Sequence, residues 1–86
     1  MSRVRVEFYG LARLRAGRAE LVAEAGTVRE ALAAAQAACP GLRVLRDDRV
    51  SPEYLVSLGG TRFTADPDEP LADGAAVLIL GADAGG

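Results

Sequence analysis

The chain has 86 residues, enough for one domain with a single modest core. Half of them are hydrophobic and 26% are charged, which is globular rather than disordered composition. A formal net charge of −2 offers no electrostatic handle for nucleic acid or an anionic membrane, and no apolar run approaches the ~20 residues that a spanning helix needs.

Arg3-Val4-Arg5-Val6-Glu7-Phe8-Tyr9 alternates with period two and reads as a half-buried strand, with Val4, Val6 and Phe8 inward. This opening is a strand pattern and not a signal-peptide core, so a soluble cytoplasmic protein is expected. Gly10 and Gly17 bracket Leu11 to Ala16, which is expected to be a loop or irregular turn. Ala19 to Glu24 places Leu21 and Ala23 on one face and Glu20, Val22 and Glu24 on the other, the second strand of a hairpin.

Thr27 with Glu30 three residues on forms a capping box after Ala25-Gly26. The alanine-rich helix it opens runs from about Val28 to Ala38, with Val28, Ala31, Leu32, Ala35 and Cys39 as the buried stripe. Pro40-Gly41 ends it. Leu42 to Pro52, with Arg46-Asp47-Asp48-Arg49, reads as a polar surface connection. Tyr54 to Leu58 is a third strand, Gly59-Gly60 a hairpin turn, and Arg62 to Thr64 a short strand. After turns at Asp66 to Pro70 and Leu71 to Gly74, Ala76 to Leu80 forms the last strand.

A hairpin, one helix and later strands make a mixed sheet on one helix, with a late strand parallel to an early one. In a sheet covered on one face strands should alternate, yet the last strand does not. Val77 and Ile79 can face the helix, which leaves Leu78 and Leu80 as an apolar patch for a partner unless the strand is central and covered.

The chain carries little chemistry of its own. It has no histidine, and its ten basic residues are all arginine, so there is no lysine either. The lone Cys39 allows no internal disulfide and no multi-cysteine metal site, and its place on the helix stripe marks it as core. Asp66, Asp68 and Glu69 lie among prolines and read as a turn, so no metal is expected. Residues 1–18 hold Arg3, Arg5, Arg13, Arg15 and Arg18 against Glu7, while from Phe63 onward Asp66, Asp68, Glu69, Asp73 and Asp83 meet no base. The role of the arginines at 13–18 stays open between docking and plain exposure. What stands out is Gly85-Gly86, a pair with a chance of about 1 in 200 at average glycine usage. Such an end is slim enough for a partner enzyme to thread and to act on its carboxylate.

These features together resemble the ThiS/MoaD family of sulfur carriers, over nearly the whole chain. Phe8-Tyr9-Gly10-Leu11-Ala12-Arg13-Leu14-Arg15 looks like the MoaD-type opening, and Gly26-Thr27-Val28-Arg29-Glu30-Ala31-Leu32 and Pro40-Gly41-Leu42 like its helix start and end. Leu55-Val56-Ser57-Leu58-Gly59-Gly60 stands at the strand before the family's usual Asn-Gly. Pro70-Leu71-Ala72-Asp73-Gly74 matches its Pro-Leu-x-Asp-Gly turn and Gly85-Gly86 its terminal diglycine.

The resemblance implies an α+β, ubiquitin-like β-grasp fold with a four- to five-stranded mixed sheet on one main helix. It implies a domain at 1–80 and a flexible tail at 81–86. An E1-like enzyme would use ATP to adenylate the Gly86 carboxylate, and a persulfide donor would convert it to a thiocarboxylate. An acceptor enzyme such as a molybdopterin synthase large subunit would take the sulfur, in molybdenum cofactor biosynthesis or a related pathway. Gly81, Ala82, Asp83, Ala84 and Gly85 would thread the partner's channel, and Leu78 and Leu80 would form the docking patch. The carrier itself would bind no cofactor and would be no enzyme, at most the small subunit of a two-subunit sulfurtransferase. The alternative is a ubiquitin-like interaction module or protein modifier.

Overall fold

A computed structural model describes residues 2–82. The chain opens with β1 (Arg3–Phe8), α1 (Gly10–Ala16) and β2 (Glu20–Glu24), followed by the main helix α2 (Val28–Ala38). A small hairpin of β3 (Leu45–Arg46) and β4 (Arg49–Val50) precedes β5 (Tyr54–Leu58), β6 (Arg62–Thr64) and the final β7 (Ala76–Gly81). One sheet runs in the order β2-β1-β7-β5-β6.

The alternation of β1 sets the register of the sheet. Val4 faces Ala23 and Val6 faces Leu21 across the antiparallel β1–β2 pair. The crossover through α2 carries the chain from β2 on one side of the sheet to β5 on the other, the two running in the same direction as a strand–helix–strand connection demands. After the β5–β6 hairpin β7 enters between β1 and β5, parallel to β1, with Val6 beside Val77 and Phe8 beside Ile79. β7 is therefore the central strand, and β5 pairs with its other edge, Val56 opposite Ile79. Val4, Val6, Phe8, Val56, Val77 and Ile79 from the sheet and Val28, Ala31, Leu32 and Ala35 from α2 are all buried.

Helix α2 begins where the capping pattern puts it. Thr27 Oγ1 accepts from the Glu30 N–H at 3.3 Å. The Glu30 carboxylate reaches back to the Gly26 N–H at 2.7 Å, one residue before the cap, so two otherwise unpaired amides are satisfied. Cys39 closes the helix and is buried, as its position on the stripe implies. Gly59 and Gly60 both sit in the left-handed region, φ 64° and 73°, at the centre of the turn that the Thr61 N–H closes on the Leu58 carbonyl at 3.2 Å; with Leu58 paired to Arg62 the β5–β6 loop is three residues long, one more than the dipeptide implies.

Two segments differ from the sequence reading. Leu11 to Ala16 is not a loop: it belongs to α1. Ala12 is fully buried, Arg13 Nε donates to the Phe8 carbonyl at 3.0 Å, and Arg15 donates to the Tyr54 hydroxyl at 3.0 Å. Tertiary contacts thus hold a seven-residue helix that would be marginal alone. Leu42 to Pro52 is not a plain surface connection either. Leu42, Val44 and Ser51 are buried, and the Leu45 N–H is tied to Gln36 Oε1 at 3.0 Å, so the segment seals one end of α2. Asp47 and Asp48, with φ of 50° and 65°, turn its β3–β4 hairpin. Gly41 touches α1 so closely that a Cβ there would lie 2.7 Å from the Arg15 carbonyl oxygen. β7 also runs one residue beyond position 80, to Gly81. Among the described residues no helix is long and apolar enough to cross a membrane.

Candidate functional site

With Val77 and Ile79 turned to the core, Leu78 and Leu80 lie on the opposite, uncovered face of the sheet and are half-buried. The register places Leu78 between Glu7 on β1 and Ser57 on β5, and Ser57 in turn opposite Phe63 on β6. Leu80 lies opposite Leu55. Leu55, Phe63, Leu78 and Leu80 therefore form one apolar strip across three strands, with Phe63 64% exposed. The sequence reading placed Leu78 and Leu80 there and missed Leu55 and Phe63. The alternation of Leu55 with the buried Val56 was the available signal for the first. Phe63 is fixed only by the β5–β6 pairing.

A charged row borders this strip on β1. Arg5 Nε lies 2.8 Å from Glu7 Oε2, and the Tyr9 hydroxyl donates to Glu7 Oε1. The Arg13 guanidinium covers the Tyr9 ring at 5.5 Å. The hydrogen bond from Tyr9, and then that from Arg5, hold the Glu7 carboxyl below its ordinary range near 4.5. A depressed carboxyl pKa contributes stability that is present above the ordinary range and lost as pH falls through the lowered value. Glu7→Gln is accordingly expected to flatten the acid limb of stability below about pH 4.5, by less than ~1 kcal/mol for so exposed a network. Denaturation midpoints across a pH series measure this, and an unchanged acid limb would remove the network's stabilising role.

β7 leaves the sheet at a defined place. Gly81 pairs with Tyr54, and the Ala82 N–H donates to the Glu53 carbonyl at 2.8 Å. Leu11 of α1 covers Gly81, where a Cβ would stand only 3.0 Å from the Leu11 Cβ, so a residue without a side chain suits this crossing. Arg15 reaches Glu53 Oε1 at 3.1 Å, and Arg46 lies 3.9 Å from the same carboxylate. Of the residues expected in the tail, Gly81 and Ala82 thus belong to the edge of the fold. Asp83, Ala84, Gly85 and Gly86 lie outside the described residues.

Elsewhere, Asp68 pairs with Arg29 and Glu69 with Arg62, so these acids fasten turns as their setting implied. Among the described residues no three potential ligands gather around a metal position.

No family model matches the chain, and no curated protein matches it by sequence. Solved structures do resemble it. SAMP1 from Haloferax volcanii superposes with a TM-score of 0.82 at 24% identity, over 99% of this chain and 100% of that one. A putative molybdopterin converting factor subunit 1 from Pyrococcus furiosus gives 0.75 at 20% identity, over 94% and 98%. A chain of the BexX/CysO complex from Amycolatopsis orientalis gives 0.78 at 21% identity, over 96% and 99%. The strand order, the single crossover through α2 and these superpositions together establish that the chain has the ubiquitin-like β-grasp fold.

Proposed function

We propose that the chain is a sulfur carrier whose C-terminal Gly86 carboxylate is adenylated by an E1-like enzyme with ATP and then converted to a thiocarboxylate. The observation that carries this reading is the placement of the exit. The central strand β7 presents Leu78 and Leu80 on an open apolar face, and four residues past its last hydrogen-bonded position stands the diglycine. A partner that docks on the strip is thereby handed the chain's end. The chain supplies no histidine for acid–base work, so the chemistry belongs to the partner. Adenylation turns a carboxylate oxygen into a good leaving group, and a persulfide sulfur then replaces the adenylate at the same carbonyl carbon. Molybdopterin biosynthesis is one setting for the sulfur's use, and the molybdopterin converting factor neighbour supports it. The CysO neighbour, held in a complex with BexX, supports a protein partner for the carrier.

The likeness to SAMP1, named as a small archaeal modifier protein, favours a second reading in which Gly86 is joined to protein amines. Intact mass separates the two. With an E1-like enzyme, ATP and a persulfide donor, the carrier reading expects a mass gain equal to one oxygen replaced by sulfur at Gly86. Amide-linked adducts without that gain would favour the modifier. No change of either kind would leave the strip as a plain interaction surface.

A further inference from the structure

The segment from Tyr9 to Arg18 carries three arginines and no acid. It also carries three of the five large hydrophobic side chains that stand exposed among the described residues: Tyr9 at 36%, Leu11 at 37% and Leu14 at 79%. Helix geometry sets where these side chains lie. At ~100° per residue, the buried Ala12 and half-buried Ala16 face the body of the protein, and Leu14 lies diametrically opposite them. Leu11, three residues earlier, neighbours Leu14 on the helix surface and covers Gly81.

The three arginines are not equivalent. Arg15 is engaged by Glu53 and the Tyr54 hydroxyl. Arg13 and Arg18 are exposed, and among the described residues neither has a carboxylate partner. Each is nevertheless held in place. Arg13 Nε donates to the Phe8 carbonyl at 3.0 Å with its guanidinium over the Tyr9 ring, and Arg18 Nε donates to the Glu20 carbonyl at 3.0 Å. With Nε occupied, the two terminal nitrogens of each guanidinium remain as a fork that matches a carboxylate, and part of the ordering cost is already met. The Phe8 N–H bonds the Ala19 carbonyl, so Phe8 and Glu20 stand on neighbouring strands one position out of register. The two anchors are therefore about 6 Å apart. The acids of this corner, Glu7 and Glu20, both lie against Arg5.

We propose that Tyr9 to Arg18 is a docking surface for an acidic, apolar segment of a protein partner, with its carboxylates on Arg13 and Arg18 and a leucine-sized side chain on Leu11 and Leu14. Exposed leucines beside the forks favour a polypeptide over a nucleic acid, and a net charge of −2 opposes an extended polyanion. Two leucines on a seven-residue helix bury too little to hold the chain on a membrane. None of these residues belongs to the strip of Leu55, Phe63, Leu78 and Leu80, so the inference stands or falls apart from the carrier reading.

The full chain, isotope-labelled, is titrated by NMR with a short capped peptide of glutamate, alanine and two leucines. Saturable amide shifts centred on the segment from Tyr9 to Glu20 are expected. Arg13→Lys and Arg18→Lys keep the charge and lose the fork, and each is expected to weaken binding about fivefold, as is Leu14→Ser. Arg43→Gln and Arg49→Gln remove exposed arginines that have no carboxylate partner among the described residues, and both are expected to bind as wild type. A peptide with serine in place of leucine is expected to bind at least fivefold more weakly. Arg18→Lys and Leu14→Ser keep the test open where Arg13→Lys loosens α1, and spectra away from the segment report the fold. Absence of saturable shifts there would overturn the proposal, as would equal weakening by Arg43→Gln and Arg49→Gln or equal binding of the serine peptide. Tighter binding of the same residues to phosphatidylglycerol vesicles or to a DNA oligonucleotide would overturn it in favour of those ligands.

Discussion

Leu78→Arg is expected to lower ATP-dependent activation of Gly86 at least thirtyfold while leaving the fold intact. Leu78 stands in the central strand, where the apolar strip meets the charged row of β1, with Glu7 on one side and Ser57 and then Phe63 on the other. Truncating or charging an anchor of a protein interface costs about 2 kcal/mol or more, which is roughly thirtyfold in affinity. Arginine is chosen because its aliphatic stem keeps the neighbouring apolar surface covered and its head meets the Glu7 carboxylate, so stability should change by less than about 1 kcal/mol. The measurement is kcat/KM of the E1-like enzyme for the carrier, beside a denaturation curve. Val22→Arg is the control. Val22 is 56% exposed on the same face, but it lies across the charged β1 row on the edge strand β2, and its change should leave activation near wild type. Equal losses from both variants would point to a general charge effect, and no loss from Leu78→Arg would move the docking surface elsewhere.

Much of this site is legible in the sequence because its determinants are local. The threonine–glutamate pair and the apolar stripe from Val28 to Cys39 mark α2, and strict alternation marks β1. The failure of alternation in Ala76 to Leu80 marks a strand with two apolar faces, one packed on the core and the other carrying the open strip. Where the reading fell short, the determinants are distant in sequence. Helix α1 buries only Ala12 fully, so it shows no stripe. Its supports are Phe8, Glu53 and Tyr54, which the chain brings to it only when folded. The one local sign was Gly17 after a basic last turn, with φ 73° and an N–H bonded to the Arg13 carbonyl, an ordinary helix ending that can be taken for a loop glycine. Leu42 and Val44 alternate with arginines in a segment dominated by charge, and their burial depends on the space left at the end of α2. Phe63 illustrates the same limit at the site itself. Its membership in the strip follows from a cross-strand register, and register is a property of pairs of strands.

The largest effect on stability is expected from Phe8→Ala, about 3–5 kcal/mol. A domain of this length has a total stability of roughly 4–13 kcal/mol at typical values per residue. The loss is thus roughly a quarter of the total or more. Phe8 has the bulkiest of the fully buried side chains and lies at the end of β1 beside Ile79. Its backbone is fixed on both sides, the N–H by the Ala19 carbonyl at 2.8 Å and the carbonyl by Arg13 Nε at 3.0 Å, so the strand has little freedom to collapse into the space. A cavity that stays open costs the lost contacts in addition to the lost transfer energy. Ile79→Val, which removes one methylene from the neighbouring position, should cost only about 0.5–1.5 kcal/mol. Denaturant midpoints at unchanged m-value measure both, and a Phe8→Ala loss below about 1 kcal/mol would mean that this corner repacks. The corner matters beyond stability, because the Tyr9 N–H that follows Phe8 donates to the Ile79 carbonyl at 2.9 Å, two residues before the exit at Gly81. Loosening Phe8 should therefore also loosen the end of β7, and exchange of the Tyr9 amide should quicken more than the global loss of stability requires.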